Sequence, residues 1–221
     1  MRTLAVHRTG RVGFGAGLAL MRSAVARVRA ADPPETDRLL LLEHPPVLTL
    51  GGGARRAEVV ASPEWLASRG IEIHEVDRGG AATYHGPGQV VGYPIVDLRD
   101  RPDVRRFVHD LEEAMLRTCA DFGVEAGRHP VHRGAWVGAR KIGAVGVRVD
   151  GWLTSHGLAL NVTTDLSHFA AIVPCGITDP SLGVTSLAAE LRGRGLPAPP
   201  LPDVEERLAH HLARILGRGP A

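Results

Sequence analysis

Two residues of this chain have side chains suited to nucleophilic chemistry, the cysteine at position 175 and the lysine at position 141. Cys175 lies in the loop sequence Val-Pro-Cys-Gly-Ile. A cysteine between a proline and a glycine presents its thiol beside approachable backbone N–H groups, which suits a nucleophile with an oxyanion site. A buried structural cysteine in a turn would give the same local sequence, so both interpretations stay open. Cys119 lies on an apolar helical face, where we expect an inert core residue.

Lys141 is the only lysine in the chain, because 25 of the 26 basic residues are arginine. Arg140 beside it shows that arginine supplies positive charge even here. Arginine keeps its proton, whereas a lysine can lose it when it is buried or lies near other cations. A free thiol is only a few per cent ionised at neutral pH, so a compact ammonium nearby would raise the thiolate fraction. Composition alone leaves chance as the alternative explanation.

The histidines are less informative. His85 lies in Thr-Tyr-His-Gly-Pro-Gly-Gln, a glycine-bracketed loop where backbone can approach a ligand closely. A structural role fits His85 as well as a catalytic one, and we expect His156 to be packed in a hairpin. The sequence has no HExxH motif and no His/Cys cluster, so we predict no metal. It has neither GxxxxGK[ST] nor GxGxxG, so we predict no nucleotide cofactor.

Composition excludes several classes of protein. The chain has 221 residues, 44% of them apolar, which is enough for one sizeable core. Its formal charge is +2 with no basic block, so we expect no nucleic-acid partner. Two cysteines far apart indicate a reducing cytoplasm rather than a disulfide framework. Arginines interrupt the chain after the apolar stretch Val12–Met21, so we expect no signal peptide, and no stretch is long enough to span a membrane.

Strand and helix patterns alternate along the chain, which predicts an α/β or α+β fold. The continuous apolar run Leu39–Leu42 is typical of a buried strand, and Ser62 with Pro63 is typical of a helix start. The segment from Arg78 to Gly88 is predicted to be a loop. We predict strands at Leu4–His7, Leu39–Leu42, Ile71–Asp77 and Gln89–Leu98, and helices at Gly13–Arg29, Pro63–Arg69, Phe107–Phe122, Ser186–Leu191 and Asp203–Gly217.

A β-hairpin is predicted around Asp150-Gly151, the dipeptide that most strongly favours a two-residue turn. This turn would place Val149 opposite Trp152 in the next strand.

The same register gathers five small residues on one face of the hairpin: Ala144, Gly146, Ser155, Gly157 and Ala159. They would leave a shallow channel, although small residues would equally allow a helix to pack closely there. The register also pairs Lys141 with Leu160, on the face opposite the channel. Either a twist or bulge near Gly143 places the lysine on the channel side, or this register is wrong.

Five sequence blocks together resemble the lipoyl(octanoyl) transferase family. They are EHPPVLTLGGGA, DRGGAATYHGPGQVVGYPIVDL, RKIGAVGVRV, SHGLALNV and IVPCGITDPSLGVTSLAAEL, in this order. The resemblance covers residues 39–191. It implies a mixed sheet flanked by helices, shared with biotin and lipoate protein ligases, in a single catalytic domain spanning residues 1–221.

The resemblance also implies an activity. The family moves an octanoyl group from acyl carrier protein to a lysine of lipoyl domains in 2-oxoacid dehydrogenase complexes and of the glycine cleavage H protein, with no cofactor, ATP or membrane partner. Cys175 would carry the acyl group as a thioester, and Lys141 would lower the pKa of its thiol. The implied substrate contacts are Arg78, Gly79, Gly80, Ala81, Ala82, Thr83, Tyr84, His85, Ala144, Val145, Gly146, Gly157, Leu158 and Ala159.

Two alternatives belong to other classes of protein. An ATP-dependent lipoate or biotin ligase would share the fold but would not need Cys175. A non-catalytic module that only docks carrier proteins would need neither Cys175 nor Lys141.

Overall fold

The computed structural model describes residues 2–31, 36–173 and 179–220, so that Cys175 lies outside the described residues. The described strands are β1 Thr3–Arg11, β2 Thr36–Glu43, β3 Val47–Leu50, β4 Glu72–Glu75, β5 Ala82–His85, β6 Gln89–Ile95, β7 Ala135–Val137, β8 Arg140–Asp150, β9 Leu153–Asn161, β10 Gly183–Val184 and β11 Gly219–Pro220. The described helices are α1 Phe14–Ala30, α2 Pro63–Ser68, α3 Val104–Asp121, α4 Leu187–Arg192 and α5 Leu201–Leu216.

The described strands form a large and a small sheet. The large sheet has the order β10-β8-β9-β6-β2-β1-β11, with β7 also paired to β8. Its β1–β2 and β8–β10 pairs are parallel, whereas β2–β6, β6–β9 and β8–β9 are antiparallel. The small sheet has the order β4-β3-β5. The predicted mixed α/β fold with flanking helices is therefore confirmed.

Helices cover both faces of the large sheet. Leu39 and Leu41 of β2 point into the core beneath α3 and α5, and Leu40 and Leu42 point into the core beneath α1. All four leucines are at most 5% exposed, because consecutive strand residues face opposite sides and both sides are covered. No helix in the described part of the chain is long and apolar enough to cross a membrane.

The structure corrects the loop predicted from Arg78 to Gly88. Residues 82–85 of this segment form β5, antiparallel to β3, with Ala82 beside Leu50 and His85 beside Val47. Glycines on both sides make the segment resemble a loop, but the four residues of β5 alternate in orientation as a strand requires.

Helix starts follow the sequence signals with two exceptions, namely α3, which begins at Val104 rather than at Phe107, and α5. The Ser62 side chain accepts a hydrogen bond from the Trp65 N–H (3.2 Å) at the start of α2, as predicted. The start predicted for α5 is wrong: the helix begins at Leu201, so Asp203 lies in its first turn rather than at the cap. Proline 200 precedes the helix and proline 202 lies in its first turn, where a missing N–H costs nothing.

The predicted hairpin register is wrong by two residues. Val149 pairs with Thr154 rather than with Trp152, and the turn residues are Gly151 and Trp152. Both have left-handed φ angles, +57° and +65°, as a type I′ turn requires.

Hydrogen bonds to the segment that follows β6 explain this register. The Leu98 N–H donates to the Trp152 carbonyl (2.8 Å), and the Thr154 N–H donates to the Val96 carbonyl (3.0 Å). These bonds tie β9 to the residues after β6, which the local turn signal does not include. Because the shift is even, the five small residues remain together on their predicted face.

A β-bulge in β8 interrupts the alternation of side chains between the two faces of the sheet next to Lys141. In the β7–β8 pair, Ala135 lies beside Gly143 and Trp136 lies beside Lys141, so Ile142 is an extra residue. Ile142 is fully buried in the main core, and Lys141 lines a cavity together with residues of the small-residue face. The bulge expected near Gly143 is therefore confirmed.

Candidate active site

A cavity of about 210 Å3 lies between strands β6, β8 and β9 of the large sheet and the chain from residue 76 to β5. The residues that the sequence analysis singled out and that line it are Arg78, Gly80, Ala81, Thr83, His85, Lys141, Ala144, Val145, Gly146, Gly157, Leu158 and Ala159. Gly79, Ala82 and Tyr84 are not among its lining residues. Cys175 lies outside the described residues.

Strand alternation separates the residues of β5. Thr83 and His85 face the cavity, whereas Ala82 and Tyr84 pack into the core of the small sheet. The Tyr84 hydroxyl is hydrogen-bonded to His168 Nδ1 (2.8 Å), and burial raises the pKa of Tyr84 to about 12. Tyr84 therefore supports the cavity wall from behind.

Glycine is required where the chain before β5 crosses the hairpin. A Cβ at Gly146 would lie 2.9 Å from the Gly79 carbonyl oxygen. A Cβ at Gly157 would lie 2.3 Å from the carbonyl oxygen of Gly92 in β6 and 2.4 Å from Pro94 Cδ. The close neighbours of Gly146 and Gly157 therefore belong to a loop and to β6 rather than to a helix, and the same face lines the cavity, as the channel interpretation expected.

Arg78 joins the loop before β5 to the small sheet. Its guanidinium donates to the carbonyl oxygen of Thr49 (2.9 Å), to Thr49 Oγ1 (2.8 Å) and to the Gly79 carbonyl oxygen (3.0 Å). Because Arg78 is only 9% exposed, these bonds compensate for burying a charge. The arrangement places a fixed positive charge in the cavity wall.

His85 is a buried, neutral imidazole. Burial, with His44 and Arg78 nearby, lowers the pKa of His85 to about 3. Its Nδ1 lies 2.7 Å from the side-chain oxygen of Gln89, and that oxygen only accepts, so Nδ1 carries the proton. The other ring nitrogen, Nε2, is left as an acceptor facing Thr49 Oγ1 at 3.5 Å.

A hydrogen-bond chain links His85 to the strand that carries Lys141. The Gln89 amide donates to the Asn161 side-chain oxygen (2.8 Å), and the Asn161 amide donates to the Thr185 carbonyl (2.9 Å). The Thr185 N–H donates in turn to the Lys141 carbonyl (2.9 Å). Satisfied buried networks of this kind hold their members in one geometry.

Lys141 lies at the end of the cavity near β7 and is only 8% exposed. Its Nζ lies 5.1 Å from the centroid of the Trp136 ring, within the range of a cation–π contact. The Trp136 ring also contacts the His129 ring, with centroids 4.8 Å apart, and its Nε1 donates to the His132 carbonyl (3.1 Å). Sequence reasoning missed Trp136, although an aromatic residue five positions before the lone lysine was visible.

His156 also lines the cavity, where the sequence analysis expected only a packed residue. Its φ of +56° is rare for a residue with a side chain, and such strain clusters at functional sites. Its Nε2 is hydrogen-bonded to Asp77 Oδ1 (2.9 Å). Burial lowers the pKa of His156, although Asp77 partly opposes this effect. No sequence signal gives the left-handed φ, so this feature required the structure.

The described residues hold no cluster of three or more His, Cys, Asp or Glu side chains that could bind a metal ion. The described residues thus form a partly apolar cavity whose basic lining side chains are Lys141, Arg78, Arg133, His85, His132 and His156.

Comparisons with known proteins show which family and fold this chain is similar to. The family model for the lipoyl protein ligase A/B catalytic domain matches residues 15–213. An octanoyltransferase from Myxococcus xanthus is 49% identical over 97% of this chain, which spans 60% of that relative's length. An octanoyltransferase from Solibacter usitatus is 47% identical over 97% of this chain and 94% of its own. Among solved structures, a bi-partite lipoate protein ligase from Thermoplasma acidophilum superposes with a TM-score of 0.72 at 17% identity, covering 100% of this chain and 85% of that one.

Proposed function

This chain belongs to the family of lipoyl protein ligase A/B catalytic domains, and we propose that it is an octanoyltransferase that moves an octanoyl group from acyl carrier protein to a lysine of lipoyl domains. The acceptors are the lipoyl domains of 2-oxoacid dehydrogenase complexes and the glycine cleavage H protein. The relatives named octanoyltransferase support the acyl-transfer activity.

The observation that carries the proposal is the cavity that leads to Lys141. Its floor is built from Ala144, Gly146, Gly157 and Ala159, which leave room for a slender apolar chain. Apolar side chains of α1 and β6 also line it, so a saturated acyl chain would exchange water for apolar contacts. Lys141 at one end is where a reacting carbonyl would lie.

The proposed chemistry has two acyl transfers. The Cys175 thiolate attacks the octanoyl thioester, a new C–S bond forms, and the carrier protein leaves as a thiolate that takes up a proton. Nearby backbone N–H groups stabilise the oxyanion of each tetrahedral intermediate. The amine of the acceptor lysine then attacks the acyl-enzyme, and Cys175 leaves. Conversion of a thioester to an amide is downhill, so the reaction needs no ATP.

The scheme requires that the Cys175 thiol and the ammonium of the acceptor lysine each lose a proton. The Lys141 ammonium stabilises the Cys175 thiolate by charge and thereby lowers the pKa of that thiol. When the carrier protein leaves, Lys141 gives its proton to the departing thiolate and becomes a free amine. Lys141 as a free amine accepts a proton from the incoming lysine ammonium, which arginine does not do. The neutral His85 and the fixed Arg78 shape the cavity wall without themselves transferring protons.

Single-turnover transfer to an isolated lipoyl domain tests the proposal. With octanoyl-acyl carrier protein and no ATP, we expect the domain to gain one octanoyl group. With free octanoate and ATP, we expect no product. Product that requires ATP would identify a ligase, and no product under either condition would identify a docking module; either result would overturn the proposal.

A further inference from the structure

Beyond the cavity, on the same side of the hairpin, lies a second depression of about 570 Å3 between α1 and the β8–β9 hairpin, here called the α1 groove. Its apolar lining residues are Leu18, Met21, Val25 and Leu153, with Val76. Val76 and His156 line both the cavity and the groove. These two residues therefore form a partition between the two spaces.

The hairpin face runs continuously beneath the partition. Residue pairs on this face follow one another in the order Ala144–Ala159, Gly146–Gly157 and Arg148–Ser155. The first two pairs line the cavity and the third lines the groove. The cavity thus stops at the partition because of the side chains above the face, and the face itself offers a path onward.

The backbone conformation of His156 makes the partition. In a regular strand, His156 would share the face of Leu158 and Leu160, which point into the main core. Its φ of +56° instead turns the imidazole to the cavity side, where the side chain is 5% exposed. The His156 N–H also contacts the Met21 sulfur of α1 (3.1 Å), which holds the strand at this point.

Two contacts hold the imidazole across the opening. Its Nε2 is bonded to Asp77 Oδ1 at 2.9 Å, and Asp77 is in turn paired with Arg148 of β8. On the cavity side, the His156 ring meets the Tyr93 ring edge-on with centroids 6.1 Å apart. His156 therefore has a strained backbone and a ring fixed on two sides, so that its side chain is held between the cavity and the α1 groove.

We propose that His156, held by Asp77, is the specificity-determining residue that ends the acyl cavity, so that its removal extends the cavity into the α1 groove. This inference rests on the proposed octanoyl transfer. A chain longer than octanoyl would meet the imidazole in the intact protein. With the imidazole removed, the additional methylenes would lie on the apolar residues of α1, and each buried methylene is worth about a fourfold gain in affinity.

The test measures acylation of the full chain by intact mass, with the octanoyl and dodecanoyl thioesters of acyl carrier protein. The variant His156→Gly removes the imidazole and suits the left-handed φ. Should it fail to fold, His156→Asn also tolerates that φ and has a shorter side chain. Asp77→Asn keeps the imidazole but weakens its anchor. His211→Asn is the matched control, because His211 is likewise paired with an aspartate, Asp121, at 2.8 Å and lines neither space.

We expect the ratio of dodecanoyl to octanoyl acylation rates to rise at least tenfold in the glycine or asparagine variant of His156. The ratio should rise by less in Asp77→Asn and stay unchanged in His211→Asn. A folded His156 variant that accepts octanoyl with an unchanged ratio would overturn the inference while leaving the proposed function intact. Absence of any octanoyl adduct on the unsubstituted protein would instead refute the proposed function.

Discussion

The buried imidazole of His85 should make the stability of this protein depend on pH. Its pKa is about 3 in the folded protein, against the ordinary value of 6.5. Because the folded pKa is the lower one, the unfolded chain binds this proton first as the pH falls, and stability decreases from about pH 6.5 downward. At about pH 5 the unfolded chain is protonated and the folded chain is not. At 1.36 kcal/mol per pKa unit, the folded state loses about 2 kcal/mol relative to about pH 7.5.

Urea unfolding of the unsubstituted protein and of His85→Gln, followed by tryptophan fluorescence, isolates this effect. Glutamine keeps an N–H donor toward Gln89 but does not titrate, and the other buried groups titrate in both proteins. The stability advantage of the unsubstituted protein should therefore shrink by about 2 kcal/mol between about pH 7.5 and about pH 5. His109→Gln, which changes an exposed histidine, serves as the matched control and should follow the unsubstituted protein. A change below about 0.5 kcal/mol in the His85→Gln difference would refute the reasoning, because it is smaller than half of one pKa unit.

Three further predictions concern the walls of the cavity. Gly157→Ala should lower the free energy of unfolding in urea by about 1–3 kcal/mol, because its Cβ would lie 2.3 Å from the Gly92 carbonyl oxygen of β6, whereas Gly127→Ala has open space; equal stabilities would contradict the close approach of β6 to Gly157. Gln89→Leu removes the acceptor of His85 Nδ1 and the donor to the Asn161 side-chain oxygen, and it should cost about 2–4 kcal/mol in the same assay; a loss below about 1 kcal/mol would show that the network is not needed. Lys141→Arg should reduce octanoyl transfer to a lipoyl domain by about 100-fold or more with little change in the urea midpoint, since arginine keeps the charge but does not accept a proton; full activity would exclude Lys141 as a base.

The sequence predicted the parts of the fold that depend on local chemistry. Four consecutive leucines indicated a strand buried on both faces, and Leu39–Leu42 occupies the middle of the sheet with α1 on one side and α3 and α5 on the other. The Ser62-Pro63 signal fixed the start of α2. The conflict between the hairpin register and the position of Lys141 indicated a bulge, and Ile142 is the extra residue.

The sequence did not predict features that depend on contacts between residues far apart along the chain. The Asp150-Gly151 signal is local. The observed turn lies one position later, where Trp152 is hydrogen-bonded to Leu98 and Thr154 is hydrogen-bonded to Val96. The strand β5 has only four residues, too few for alternation to be recognised in the sequence. The left-handed φ of His156 is stabilised by Asp77 and by α1, which lie far away in the sequence. The positions of Trp136 and His156 beside the cavity therefore required the three-dimensional structure.

Intact-mass analysis of the protein after incubation with octanoyl-acyl carrier protein tests the central claim most directly. The account predicts one octanoyl increment on the unsubstituted chain, none on Cys175→Ala, and an unchanged increment on Cys119→Ala, because Cys119 is a buried core thiol whose pKa burial raises to about 12. An absent increment, or one that survives in Cys175→Ala, would contradict it.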